Sequence, residues 1–184
     1  MVELEKMTES SEEGAKGFGL AVYRQVVERF LALFEEHFGD RLISFVLYGS
    51  VARGEARAES DIDLLLIVDR VSPNYHRRLD EVLVVQARLE REGVYDAVSK
   101  VRGSAPYFSY LILSKEEADE NRYIYLDMVD DAKLLFDRAG FFAKRLSAVR
   151  HRLEELGSIR VQLKDGSWYW DLKPDLKAGE SFVL

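Results

Sequence analysis

Asp61 and Asp63 stand one residue apart at the head of the segment Asp61-Ile62-Asp63-Leu64-Leu65-Leu66-Ile67-Val68. This run has the length and composition of a buried strand. Alternation along a strand puts both carboxylates on one face, with Ile62, Leu64 and Leu66 on the other. Two carboxylates side by side on a buried strand repel each other, and a cation between them relieves the repulsion. The chemistry open to the pair is divalent-metal binding, which in two-metal sites clamps the attacking and leaving oxygens of a phosphoryl group. Gly49-Ser50, separated from Asp61 by ten residues, lies at the end of a second apolar run, Leu42 to Tyr48. Glycine there lets the backbone turn and lets a ligand come close. Ser50 then opens a short predicted helix through about Gly54, where exposed N–H groups favour a phosphate and the hydroxyl adds a hydrogen bond.

Each part has an ordinary alternative. Gly-Ser after a strand is usually a turn, Asp-x-Asp is often a solvated strand entry, and Arg53 alone is more often a surface charge. In this order, between two buried strands, the parts form a phosphate cradle beside a set of metal ligands. That pairing is what nucleotidyl transfer requires.

The elements that must position these residues are legible in the hydrophobic pattern. Residues 12–38 read as a helix with Val22, Val26, Phe30, Leu33 and Phe34 on one stripe, stopped by Gly39-Asp40. Ser72-Pro73-Asn74 opens another helix, about 75–92, with Leu79, Val82, Leu83, Gln86 and Leu89 inward and Gly93 ending it. Residues 94–103 are ambiguous. A third strand is expected over 107–113, a helix over 116–131, a short strand over 133–136 and a helix over 141–156. Asp165-Gly166 is a favoured two-residue hairpin turn. It would pair Leu163 with Trp168, Val161 with Trp170 and Ile159 with Leu172 on one apolar face, leaving Gln162–Tyr169 and Arg160–Asp171 on the other. Such a face must dock, more readily on the chain's own core than on a partner.

Composition excludes several classes. The 184 residues have no cysteine, so disulfides, zinc thiolates and thiol nucleophiles are ruled out. The three histidines, His37, His76 and His151, form no ligand-like pair. A metal here should be hard and oxygen-bound, Mg²⁺ or Mn²⁺. No apolar run reaches the ~20 residues of a membrane span. The first residues, Met1 to Lys6, carry no signal-peptide core, so a cytoplasmic location is expected. The net charge of -7 and the mixing of basic with acidic residues argue against a long nucleic acid as partner.

The segment GSVARG, then SDIDLLLIV, resembles the signature of the DNA polymerase beta-type nucleotidyltransferase superfamily, in particular its minimal, stand-alone, antitoxin-like members. The resemblance implies an α/β (α+β) fold: a small mixed β-sheet with helices packed on it. It implies a nucleoside triphosphate donor, Mg²⁺ (or Mn²⁺) as cofactor and pyrophosphate as leaving group. By position, Gly49 and Ser50 contact the donor phosphates, with Arg53 and Ser60 in the same nucleotide-binding motif, and Asp61 and Asp63 bind metal. Residues 1–115 would form the catalytic core and 116–184 a helix-and-hairpin extension packed on it as one unit.

The superfamily commonly adds a third carboxylate on a neighbouring strand. The expected third strand has none. Asp96 is the nearest acid upstream, and Glu116 and Glu117 lie just beyond the strand's end. Asp96 is the candidate. The leading expectation is transfer of a nucleoside monophosphate to a hydroxyl of a protein or small molecule. Minimal members often work beside a small helical protein partner. The rival is a non-catalytic module that binds nucleotide or partner and keeps the motif.

Overall fold

The computed structural model describes residues 18–164 and 166–184. The two apolar runs are its central strands. β1 (Leu42–Tyr48) and β2 (Ile62–Val68) pair antiparallel, with Tyr48 opposite Asp63. β3 (Phe108–Leu113) adds to β2 in parallel, placing Ser109 opposite Asp63. β4 (Lys133–Asp137) adds to the other edge, antiparallel to β1. The order β3-β2-β1-β4 makes a four-stranded mixed sheet, to which the segment beyond residue 115 contributes one edge.

Helices cover both faces, which is why β1 and β2 are nearly all apolar. On one face lie α1 (Leu20–Phe38), α3 (Tyr75–Arg91) and α4 (Tyr95–Arg102), packed against Phe45, Leu47, Leu64 and Leu66. On the other, α5 (Lys115–Asp119), the 3₁₀ turn Tyr123–Asp127 and α6 (Phe141–Leu156) pack against Val46, Leu65 and Ile67. Between β1 and β2 sits the one-turn helix α2 (Gly49–Arg53), closed by Gly54 at φ +80°. The expected α1 begins at residue 12; residues 12–17 fall outside the described part of the chain. The ambiguous 94–103 stretch is α4, ended by Gly103 at φ +80°.

Three expectations need correction. The helix over 116–131 is only α5 and the 3₁₀ turn. A capping box between Ser114 and Glu117 starts α5. Asp119 and Glu120 then place negative charge at its C-terminal end, where the helix dipole disfavours it. In α3 the buried residues are Arg78, Val82, Val85 and Leu89, with Leu79 and Gln86 partly buried beside them, whereas Leu83 is exposed. The helix is turned so that the Arg78 guanidinium enters the core.

The third correction is the hairpin of β5 (Ile159–Gln162) and β6 (Trp168–Asp171). Val161 pairs with Tyr169 and Gln162 with Trp168, one residue off the expected register. The Leu163 N–H donates to the Ser167 carbonyl, and the Gly166 N–H to the Leu163 carbonyl, so the loop is longer than a two-residue turn. A one-residue slip exchanges faces along one strand relative to the other. Trp168 and Trp170 therefore share a face with Arg160 and Gln162. Ile159 and Tyr169 point outward, each half exposed. The hairpin does dock on its own chain: Trp170 packs on the second core, its Nε1–H donating to the Leu126 carbonyl at 3.2 Å. Arg160 stacks 3.8 Å over the Trp168 ring and pairs with Asp131 at 3.1 Å.

Arg78 is 6% exposed. It donates to the carbonyls of Ser72 and Ile112 and forms a two-pronged ion pair with Glu117. That pairing holds the Glu117 carboxyl below its ordinary range, against the opposing effect of burial. Glu117→Ala leaves a buried guanidinium without its counter-charge. The expected loss is about 2 kcal/mol in urea unfolding at neutral pH, below the ~3–5 of a fully buried pair because Glu117 is partly exposed. A depressed carboxyl pKa contributes stability above the unfolded value of 4.5 and loses it as pH falls through the folded one. The gap between wild type and variant should therefore narrow below that pH.

Candidate active site

The site begins with Gly49, which has φ +71°. A β-carbon there would lie 2.2 Å from Asp63 Oδ2 and 3.0 Å from its Cγ. The Asp63 carboxylate thus rests directly against the glycine backbone, and only glycine accommodates both the conformation and the contact. The antiparallel register that sets Tyr48 opposite Asp63 brings the two strand ends together. Even spacing places Asp63, Leu65 and Ile67 on one face of β2, and Asp61, one residue before the strand, lies close enough to act on the Asp63 carboxyl.

The loop before Asp61 is held by a residue that the sequence did not single out. Arg102, 6% exposed, donates to the Ala58 carbonyl through Nε at 3.0 Å and to the Ser60 carbonyl through Nη2 at 2.9 Å. Its guanidinium also lies 5.7 Å from the centre of the Tyr23 ring. A buried arginine that takes backbone carbonyls as acceptors is a clamp, and here it fixes the approach to Asp61. Nothing in the local sequence of α4 signals it, because the acceptors are more than forty residues away. The Ser60 hydroxyl accepts from the Arg57 N–H at 2.9 Å, so it holds the same turn. At the other side of α2, Phe18 and Ala56 exchange backbone hydrogen bonds, and the Glu55 N–H donates to the Ser50 carbonyl at 2.9 Å.

The electrostatics match the geometry. Burial, chiefly, pushes the Asp63 carboxyl above its ordinary range; the Ser109 hydrogen bond opposes this, Asp61 adds to it, and Arg53 opposes it. Arg53 is itself paired with Glu55 at 2.7 Å. Ser109 stands on β3 at the place nearest Asp63, where the resemblance led one to look for a carboxylate. The Tyr48 hydroxyl is pushed up to about 12, by burial first and then by the charges of Asp63, Tyr75 and Asp127. It stays protonated at neutral pH.

Asp127 is the second residue that the sequence did not reveal. It lies at the end of the 3₁₀ turn, half-buried, with its carboxyl raised by burial and drawn back by Arg53 and Arg160. Together with Arg53, Tyr123, Leu126, Trp168 and Trp170 it lines a cleft of about 620 Å³ between α2 and the hairpin. Asp96 is placed differently from the expectation. It is exposed in the first turn of α4, six residues before the Arg102 clamp, or about 9 Å along the helix axis. Glu116 and Glu117 stand beyond the opposite end of β3, and Glu117 is the partner of Arg78.

Asp61 and Asp63 are neighbouring hard oxygen donors whose mutual repulsion Arg53 opposes, a pair that suits Mg²⁺ or Mn²⁺. Among the described residues no cluster of three or more His, Cys, Asp or Glu is assembled as a metal site. The fit therefore rests on this pair. No helix among the described residues is long and apolar enough to cross a membrane.

With this geometry in hand, the chain can be set beside known proteins. It is 41% identical over 61 residues to "Putative protein adenylyltransferase MJ1305" of Methanocaldococcus jannaschii, a stretch that covers 33% of this chain and 40% of that protein. A toxin–antitoxin crystal structure with AMP-PNP aligns at 15% identity, covering 71% of this chain and 92% of the other, with a TM-score of 0.41. The toxin–antitoxin MntA–HepT aligns at 14% identity over 73% and 92%, with a TM-score of 0.36. A family model described as "Nucleotidyltransferase domain" matches residues 27–164, which contain the Gly49-Ser50 turn, both aspartates, all four strands of the sheet and α6. The chain belongs to this nucleotidyltransferase domain family.

Proposed function

We propose that the protein transfers a nucleoside monophosphate from a nucleoside triphosphate to a hydroxyl of a protein or small-molecule acceptor. The observation that carries this reading is the contact of the Asp63 carboxylate with Gly49, which puts the phosphate turn and the metal-ligand pair at one point. Gly49 and Ser50 hold the donor phosphates, with Arg53 beside them. Asp61 and Asp63 would hold Mg²⁺ or Mn²⁺, which supplies charge neutralisation on the α-phosphate when bound. The acceptor oxygen bonds to the α-phosphorus, the bond from that phosphorus to the bridging oxygen breaks, and pyrophosphate leaves. The acceptor's proton needs a base on the cleft side. Asp127 fits: it lines the cleft, and burial raises its affinity for a proton. The other acid of the cleft, Glu55, is tied to Arg53. The relative's name supports ATP as donor and a protein as acceptor. The acidic chain supports a compact acceptor over a long nucleic acid, and a cytoplasmic setting suits both substrates.

Ser109 in place of a carboxylate beside Asp63 favours a second reading, a binding module without turnover. Pyrophosphate release from each triphosphate with Mg²⁺ or Mn²⁺, with candidate acceptor proteins added, separates the two. Release supports the enzyme; tight binding without release supports the module.

Asp63→Asn should abolish metal-dependent triphosphate binding in calorimetry while the melting temperature holds or rises, because it removes a desolvated charge. Unchanged Mg²⁺–triphosphate affinity would sink the metal assignment. Asp127→Asn should keep donor binding and lower turnover by about 10²-fold; unaltered turnover would remove Asp127 from the chemistry. Gly49→Ala should cost about 1–3 kcal/mol through its positive φ and weaken donor binding by displacing Asp63.

A further inference from the structure

A second concave site lies at the other end of the sheet. It is about 420 Å³ in volume, and Ile43, Lys115, Arg138, Phe141, Lys144 and Arg145 line it. Ile43 is five residues from Tyr48 along β1, which sets the two sites about 17 Å apart at ~3.3 Å per residue. Three segments deliver the cations: the start of α5, the β4–α6 turn and the first turns of α6. In a chain of net charge -7, four cations meet here against one acid, Asp119.

Most arginines of the protein are paired with carboxylates, as Arg29 is with Glu92 and Arg41 with Glu81. The pocket is different. Among the described residues Lys115, Lys144 and Arg145 enter no ion pair. The Lys115 ammonium lies over the Phe141 ring at 5.8 Å. Arg145 uses one Nη on Asn121, and its Nε is buried with no hydrogen-bond partner among the described residues. Arg138 is aimed by the carbonyls of Leu42 and Gly39, and its ion pair is with the exposed Asp40. Asn121 holds the Arg145 guanidinium in place, and a guanidinium fork bonds an anionic oxygen more strongly than a neutral acceptor. Unpaired cations held together in a concavity repel one another until an anion enters. The first N–H groups of α6 are not part of this, because Asp137 accepts from Phe142 and Ala143. Ala139, on the pocket wall, has φ +53°, a conformation that non-glycine residues seldom adopt.

We infer that this pocket is a second, metal-independent binding site for an organic phosphate. Its phosphoryl oxygens meet Lys115, Arg138, Lys144 and Arg145, and its organic part rests on Ile43 and Phe141. The volume is within the ~300–1,000 Å³ of small-ligand sites. The apolar floor beneath the cations favours a nucleotide-sized molecule over an acidic protein segment, which would need no such floor.

The test uses full-length protein carrying Asp63→Asn, in EDTA, so that metal-dependent binding at the motif is absent. ADP, adenosine and inorganic phosphate are titrated by calorimetry at low and high salt. ADP should bind saturably at low salt and weaken as salt rises, phosphate should bind less tightly, and adenosine should not bind. Lys144→Gln with Arg145→Gln should weaken ADP at least about tenfold, whereas the remote charge change Arg24→Gln should leave it unaltered. Lys144 is exposed, so Lys144→Gln alone keeps the test decisive if the double variant melts early. Absence of saturable ADP binding, equal loss in Arg24→Gln, phosphate binding as tight as ADP, or a glutamate-rich peptide displacing ADP at lower concentration would each overturn the assignment.

Discussion

The arrangement depends on one close approach, that of the Asp63 carboxylate to the Gly49 backbone. The antiparallel pairing of β1 and β2 brings the end of one strand beside the start of the other. At that junction there is space for a carboxylate or a β-carbon, but not for both. The positive φ of Gly49 turns the chain into α2 at the same point. A single residue without a side chain therefore sets the direction of the Gly49-Ser50 turn and the position of the Asp63 carboxylate. The rest of the sheet holds these two strand ends in register.

Two buried arginines do much of that holding, and both work through backbone carbonyls. Arg102 clamps the loop that leads into Asp61, and Arg78 ties α3 to the far end of β3 and to Glu117. Guanidinium suits this role because its planar fork serves several acceptors at once. Each is costly to bury unless those acceptors are present, so each couples distant segments tightly. The loop before Asp61 is thereby anchored to α4 through the carbonyls of Ala58 and Ser60.

The C-terminal hairpin gives the site its second wall. Its register, slipped by one residue from the simplest turn, turns the two tryptophans toward α2 and leaves Ile159 and Tyr169 outside. The stacking of Arg160 on Trp168 and its ion pair with Asp131 anchor the hairpin beside the turn that bears Asp127. Acidic groups and aromatic rings thus gather at the motif end, and unpaired cations at the opposite end. The two ends of the sheet offer opposite electrostatic environments.

The amino-acid sequence by itself determined the central strands, the glycine turn, the nearness of Asp61 to Asp63, and the helices α3 and α6. These features depend on hydrophobic period and on neighbours within a few residues. Tertiary structure alone decided which acids approach the pair. Asp96 was plausible by chain distance, and the fold sets it in the first turn of α4, exposed. Asp127, sixty-four residues after Asp63, reaches the cleft beside Arg53 because a 3₁₀ turn replaces an expected helix. The Arg102 clamp was hidden for the same reason, since its acceptors belong to another segment. The hairpin faces followed from one extra loop residue, which periodicity cannot register: a period of two records which residues alternate, not which side of the sheet the turn will give them.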